Sequence, residues 1–201
     1  MTFAHLARAV RDELGQEHRY AHVVRVARLA GRLASRHRET TANARLAGML
    51  HDLARLYSPS RLLDECVRRG LPVDAFERAN PVVLHARVGA EIARERFGVR
   101  DEAVLSAIRT HTLGAADMSR LDKVVYVADS VEPGRDFAGR ARLEALAFED
   151  LDAGTLAVLR ESVNYIAARG GKPAPQTIAA IAALDRPAHA APSERRPSCP
   201  T

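Results

Sequence analysis

Residues 42–53 form an apolar, helix-patterned run that closes on Gly48-Met49-Leu50-His51-Asp52-Leu53. No other stretch constrains the fold so strongly. Burying a histidine and an aspartate side by side costs several kcal/mol unless something compensates, and a bound cation is the commonest compensation. The chain must therefore bring other polar side chains to the end of this helix. The candidates are His22, His85, His111 and Asp129, each read in an apolar helical run. Successive residues on a helix diverge by about 100°. His51 and Asp52 can then share one ion only if it lodges beside the helix end and neighbouring helices supply the other ligands.

The rest of the chain supports a helical frame. Apolar residues recur at helical spacing over 2–14, His18–His37, 42–53, 101–113 and 120–131, and no β-type alternation persists. Thr40 or Thr41 is expected to cap the third helix, and its pattern runs just past His51-Asp52. Ser58-Pro59 and Asn80-Pro81 read as a cap followed by proline at the first helical position. Ser119-Arg120-Leu121-Asp122 has the capping-box form with Asp in the acidic place. One or two helices fit between Arg140 and Arg169, and Gly170-Gly171-Lys172-Pro173 reads as a loop before a last helix over Gln176–Leu184. The expected class is all-α, with about eight to eleven helices. Residues 1–184 are expected to form one domain, and 185–201 a Pro/Arg-rich tail too polar to bury a core.

Composition narrows the partners. The 201 residues are 47% apolar and 27% charged, as in globular proteins, and no stretch approaches the ~18 apolar residues of a membrane span. The chain begins Met1-Thr2-Phe3-Ala4-His5 and turns amphipathic at once, so no signal peptide is expected. Cys66 and Cys199 are too few and too far apart for a disulfide framework, which points to a reducing cytosol. Cys66 reads as a small core residue, and His5, His37 and His189 as bystanders. The net charge is +5, and the only lysines are Lys123 and Lys172. An arginine-rich surface suits phosphate, which arginine binds in a planar, bidentate way. It argues less for nucleic acid, because the basic residues are dispersed and aromatics are only 4%.

Imidazole and carboxylate ligands with an open position suit hydrolysis by Fe, Mn, Zn, Co or Ni better than a soft thiolate metal. Taken singly, each histidine has an ordinary alternative, a core ring satisfied by a backbone carbonyl. Taken in order, a histidine, a His-Asp pair, two more histidines and a late aspartate are harder to explain that way. His85 and His111 could complete a second metal site or contact substrate phosphate. Arg135 alone reads as a surface arginine pairing with Glu132 or Asp136, and Lys172 as a solvated loop residue.

The order His…His-Asp…Asp resembles the HD-domain superfamily of metal-dependent phosphohydrolases. Five segments sharpen the likeness: His18-Arg19-Tyr20-Ala21-His22, Met49-Leu50-His51-Asp52, His85-Ala86-Arg87-Val88-Gly89-Ala90, Ala107-Ile108-Arg109-Thr110-His111-Thr112-Leu113-Gly114 and Tyr126 through Arg135. They resemble the YqeK family of symmetrical diadenosine tetraphosphate hydrolases, over roughly residues 5–184. The resemblance implies that His22, His51, Asp52 and Asp129 hold the metal, usually iron in this family, as one or two ions. It implies that Asp52, His85 and His111 serve catalysis, and that His85, His111 and Thr112 face the phosphates. Arg135 and the loop Lys172, Pro173, Ala174, Pro175, Gln176 and Thr177 would contact the nucleotide, with Arg19 a further candidate. Ser130, Val131 and Gly134 depart from the family's usual Tyr, Ile and Asn.

The resemblance implies a cytoplasmic enzyme that splits dinucleoside tetraphosphates into two nucleoside diphosphates. Two alternatives stay open: an HD phosphohydrolase of another nucleotide (deoxynucleotide, cyclic nucleotide or alarmone), and a nucleotide-binding regulatory module without turnover. The tail could recruit a partner through its arginines. A homodimer is compatible with such a domain, though no exposed stripe marks its face.

Overall fold

The computed structural model describes residues 3–186. The tail expected over 185–201, with His189 and Cys199, lies outside the described residues from 187 onward. Among the described residues there are eleven α-helices and no strand: α1 (Phe3–Leu14), α2 (Glu17–Arg36), α3 (Thr41–Leu50), α4 (Pro59–Arg68), α5 (Ala75–Ala79), α6 (His85–Phe97), α7 (Glu102–Thr110), α8 (Arg120–Val131), α9 (Arg140–Glu149), α10 (Leu151–Ala168) and α11 (Pro175–Leu184). A 3-10 turn at Pro81–Leu84 leads into α6. No described helix is long and apolar enough to cross a membrane.

The local signals explain most boundaries. Ser58 Oγ accepts from Arg61 N at 3.3 Å, with Pro59 opening α4. Capping boxes start α5 at Asp74 and Glu77 and α8 at Ser119 and Asp122. Two expected caps do not form. Thr40 sits at the N-cap of α3 but its hydroxyl bonds no helical N–H. Asn80 turns its amide back to Phe76 O at 2.9 Å, so a 3-10 turn rather than α6 follows it. Two helices, α9 and α10, fill the stretch for which one or two were expected.

The core is built around α2, α3, α7 and α8. Helix α2 packs along α3, and α8 packs on α2, α3 and α7. Val23, Val26, Leu33, Leu50, Leu105, Ile108, Val124 and Val127 are wholly buried there. The α2–α3 approach depends on Gly48, where a Cβ would lie 2.8 Å from Ala27 Cα. Helix α6 lies against α7, α1 against α2, and the α9–α10 pair against α8. Cys66 is buried on α4, and burial pushes its thiol up, as fits an inert core residue.

Candidate metal centre

Three of the four histidines stand at helix ends: His51, as its pattern placed it, and His85 and His111, which their patterns had placed inside helices. Helix α3 stops at Leu50 and α7 at Thr110, leaving His51 and His111 as the residues just beyond, and His85 is the first residue of α6. The reason is local. Helix ends leave carbonyls without partners. His51 Nδ1 bonds Gly48 O at 2.8 Å, His111 Nδ1 bonds Ile108 O at 2.7 Å, and His85 Nδ1 bonds Val82 O at 2.6 Å. A carbonyl only accepts, so in each ring Nδ1 carries the proton and Nε2 presents a lone pair. His22, inside α2, reaches the same tautomer through Glu132, whose Oε1 is 3.1 Å from His22 Nδ1.

These four Nε2 atoms converge on two carboxylates. His22 Nε2 lies 3.1 Å from Asp129 Oδ1 and 3.7 Å from Asp52 Oδ2. His51 Nε2 lies 3.6 Å from Asp52 Oδ2 and 3.7 Å from Asp129 Oδ1. The other carboxylate oxygen, Asp52 Oδ1, faces His85 Nε2 at 3.4 Å and His111 Nε2 at 3.9 Å. All six side chains are buried or nearly so.

Such a cluster holds almost only acceptors. His51 Nε2 is buried without a hydrogen-bond partner, and His22 Nε2 meets a carboxylate, Asp129, at 3.1 Å. His85 Nε2 and His111 Nε2 are 3.2 Å apart, a separation that two facing lone pairs do not tolerate without a proton or cation between them. The hydroxyl of Thr112, 3.0 Å from His111 Nε2 and 3.2 Å from His85 Nε2, can serve only one of them. Ligands held about 2.1 Å from one ion stand roughly 3.0–3.5 Å apart. Two sets that share His51 approach that spacing, His22–His51–Asp129 and His51–Asp52–His111, and their imidazole and carboxylate donors fit a divalent transition metal.

The electrostatics show how strongly the groups of the cluster act on one another. Burial opposes ionisation of Asp52, but His51, His85 and His111 hold its carboxyl well below the usual range. Burial also opposes ionisation of Asp129, and His22, His51 and Arg135 outweigh it, so this carboxyl too is lowered. Burial, then the neighbouring rings of His51 and His85, push His111 down to about 3. It is therefore a neutral acceptor here rather than a resting cation. For His22, burial is outweighed by Asp129 and Glu132, and its pKa rises above the ordinary value.

Two arginines close on the carboxylates. Arg19 Nη1 donates to Asp52 Oδ2 at 2.9 Å, and Arg135 Nη2 donates to Asp129 Oδ1 at 2.6 Å. Arg135 thus meets Asp129 of the cluster and not the carboxylates of Glu132 or Asp136, the partners an ordinary surface arginine there would take. Glu132 is turned inward and engaged by His22 and Arg25, two residues of α2. Sequence reasoning missed Glu132 and Arg25. An acid between an apolar helix and Pro133 was the available signal.

A cleft of about 410 Å³ reaches the cluster at Thr112. Val73, Val83 and Leu113 give it apolar walls, while Arg87, Arg109, Asp74 and Gln176 give it polar ones. Of the segment Lys172–Thr177, only Gln176 lines it. That segment is not all loop: Pro175, Gln176 and Thr177 form the first turn of α11, where the fixed φ of proline suits the first helical position. Thr177 Oγ1 donates to Leu113 O at 2.8 Å, and Gln176 Nε2 to Asp74 Oδ2 at 2.9 Å. Ala174 is buried, Pro173 half-buried and Lys172 exposed. Arg19 and Arg135 meet the cluster's carboxylates and are not among the residues lining the cleft.

Comparison with known proteins agrees with this geometry. The HD domain family matches residues 19–134. The Bacillus subtilis protein named "Bis(5'-nucleosyl)-tetraphosphatase, symmetrical" is 35% identical over 150 residues, 75% of this chain and 80% of that one. A Staphylococcus aureus protein of the same name is 30% identical, over 80% of this chain and 83% of that one. A crystal structure from Clostridium acetobutylicum, described as a predicted HD superfamily hydrolase involved in NAD metabolism, superposes with a TM-score of 0.87 at 33% identity, covering 92% of this chain and 97% of that one. By motif, sequence and fold alike, this chain belongs to the HD-domain family, in the branch that holds the symmetrical bis(5'-nucleosyl)-tetraphosphatases.

Proposed function

We propose that this chain is a metal-dependent symmetrical bis(5'-nucleosyl)-tetraphosphatase, which hydrolyses diadenosine tetraphosphate and related dinucleosides to two nucleoside diphosphates. The observation that carries this reading is the convergence of four imidazole Nε2 atoms on two carboxylates, in a chain matched along most of its length by relatives of that name. The regiochemistry rests on the relatives' names alone.

His22, His51, Asp52 and Asp129 would hold the ion, iron by the family resemblance. When bound, the metal lowers the pKa of a coordinated water towards neutrality and polarises a phosphoryl oxygen. The residues then do the rest. Asp52 faces both halves of the cluster, with Oδ2 toward His22 and His51 and Oδ1 toward His85 and His111, so it can orient the attacking water. Where a second ion is bound, His85 and His111 beside Asp52 Oδ1 would hold it. Water adds to a phosphorus beside the central bridging oxygen, and the P–O bond to that oxygen breaks. His85, His111 and Thr112 face the phosphate chain; the water's proton passes to the Nε2 lone pair of His85 and from there to the oxygen that departs. Arg19 and Arg135 carry charge that can turn from the carboxylates to phosphate oxygens. The cleft beside Thr112 has the size and the mixed apolar and polar walls suited to a nucleoside, with Gln176 at its edge and Lys172 to Pro175 beyond it. The cytoplasm is the compartment this reading implies, and a homodimer is the assembly it allows.

Product analysis tests the reading. Metal-replete protein is incubated with diadenosine tetraphosphate and the nucleotides are separated by chromatography. ADP alone is expected. ATP plus AMP would keep a hydrolase but overturn symmetrical cleavage. No turnover with any of several metals would favour another HD substrate or a binding role.

A further inference from the structure

The four rings of the cluster are not backed alike. His51, His85 and His111 each donate from Nδ1 to a carbonyl three residues earlier, a neutral and local partner. His22 cannot do this, because it lies inside α2 where the carbonyls already serve the helix. Its Nδ1 partner comes from another element and is a carboxylate, Glu132. Glu132 follows α8, the helix that also carries Asp129, which meets the other nitrogen of the same ring. The C-terminal turn of α8 therefore grips both nitrogens of His22.

Glu132 is 1% exposed and fully engaged. Arg25 Nε and Nη2 donate to it at 2.5 and 3.1 Å, and Gly134 N donates to Oε2 at 2.5 Å. Arg25 lies one turn after His22 on α2, so the same two helices supply ring, carboxylate and counter-charge. The guanidinium occupies the space a side chain at 134 would need: a Cβ there would lie 2.6 Å from Arg25 Cζ and Nε. The absence of a side chain at Gly134 is what admits Arg25.

We infer that Glu132, locked by Arg25 above Gly134, is the positioning residue that makes His22 the strongest imidazole donor of the metal centre. The inference rests on the reading that the cluster holds a metal. A carboxylate behind a ligating imidazole fixes its tautomer and raises its basicity, and losing such an outer partner costs roughly 10–100-fold in metal affinity.

The experiment is a titration of metal-free full-length protein with Co²⁺, read by its visible d–d absorption and by competition with a chromogenic chelator, alongside the melting temperature of each metal-free protein. Glu132→Gln keeps an acceptor for Nδ1 but loses the charge, and should weaken Co²⁺ binding about 10–100-fold with a shifted d–d band. Gly134→Ala and Arg25→Ala act through one contact. Each should weaken binding by a smaller factor, and the double variant should lose no more than the worse single one. A purely structural role would lower the melting temperature and leave Co²⁺ affinity within about twofold of wild type. That result in Glu132→Gln overturns the inference, as does its appearance in Gly134→Ala should Glu132→Gln fail to fold. A wild-type protein that takes up no Co²⁺ would overturn the metal reading itself, and the inference with it.

Discussion

Glu132 Oε1 accepts a hydrogen bond from His22 Nδ1 across 3.1 Å, joining the end of α8 to the middle of α2 through two buried side chains. The bond has a pH signature in the metal-free protein. Burial opposes ionisation of Glu132, but Arg25, Gly134 N and His22 hold its carboxyl at about 2, against an ordinary 4.5. A carboxyl lowered on folding contributes stability above its unfolded pKa and loses it as pH falls through the folded one. That contribution is on the order of 3 kcal/mol and fades between about pH 4.5 and 2. His111, pushed down to about 3, acts in the same direction from an earlier onset, since the unfolded ring takes up its proton near 6.5. His22, with a raised pKa, works oppositely, its stability fading as pH rises above the ordinary histidine range. Urea midpoints should thus fall steadily below about pH 6.5, as His111 and then Glu132, Asp52 and Asp129 take up protons, and Glu132→Gln should make the fall below about pH 4.5 shallower without removing it.

Replacing Asp52 or His51 by Ala should abolish hydrolysis. Both face the centre of the cluster, and Asp52 faces it with both oxygens. The loss should exceed the roughly 100-fold expected for an outer partner. Rates at saturating metal, with circular dichroism to confirm the fold, decide it. Full activity in either variant would exclude the cluster as the reaction centre.

Metal removal should lower the melting temperature. An acceptor-rich cluster, with His51 Nε2 unpartnered and His85 Nε2 facing His111 Nε2, is relieved by a cation that the unfolded chain does not organise. At a free metal concentration about 100 times Kd the gain is about 2.7 kcal/mol, or roughly 5–10 °C for a chain of this length. Differential scanning calorimetry of chelated and reloaded protein measures it, and equal melting temperatures would count against a bound ion.

Two glycines on the α2–α3 packing should respond oppositely to alanine. A Cβ at Gly48 would meet Ala27 Cα at 2.8 Å and Ala27 N at 3.0 Å, both backbone atoms that cannot yield. Gly48→Ala should cost about 1–3 kcal/mol. It should also weaken metal binding, because Gly48 O orients His51. The three atoms nearest a Cβ at Gly31 all belong to the exposed side chain of Arg45, which can swing away. Gly31→Ala should be neutral or stabilise by up to about 1 kcal/mol through helix propensity. Chemical denaturation of the two variants compares them directly.

The sequence by itself determined the helical class, most helix boundaries and the six residues of the cluster. Those properties are local or patterned: apolar spacing repeats within each helix, Ser58, Asp74 and Ser119 act on N–H groups three residues away, and a buried His51-Asp52 demands compensation wherever it folds. The ordinary alternative for a lone histidine was half right, since His51, His85 and His111 do satisfy Nδ1 with a carbonyl and still turn Nε2 to the cluster. Only the tertiary structure decided the rest. Whether Glu132 points outward to Arg135 or inward to His22 depends on how α8 crosses α2, some 110 residues apart in the chain. That crossing depends in turn on close contacts such as the one Gly134 allows to Arg25. Side-chain partners across such distances leave no periodic trace in a single sequence, because each is set by packing geometry rather than by spacing along the chain.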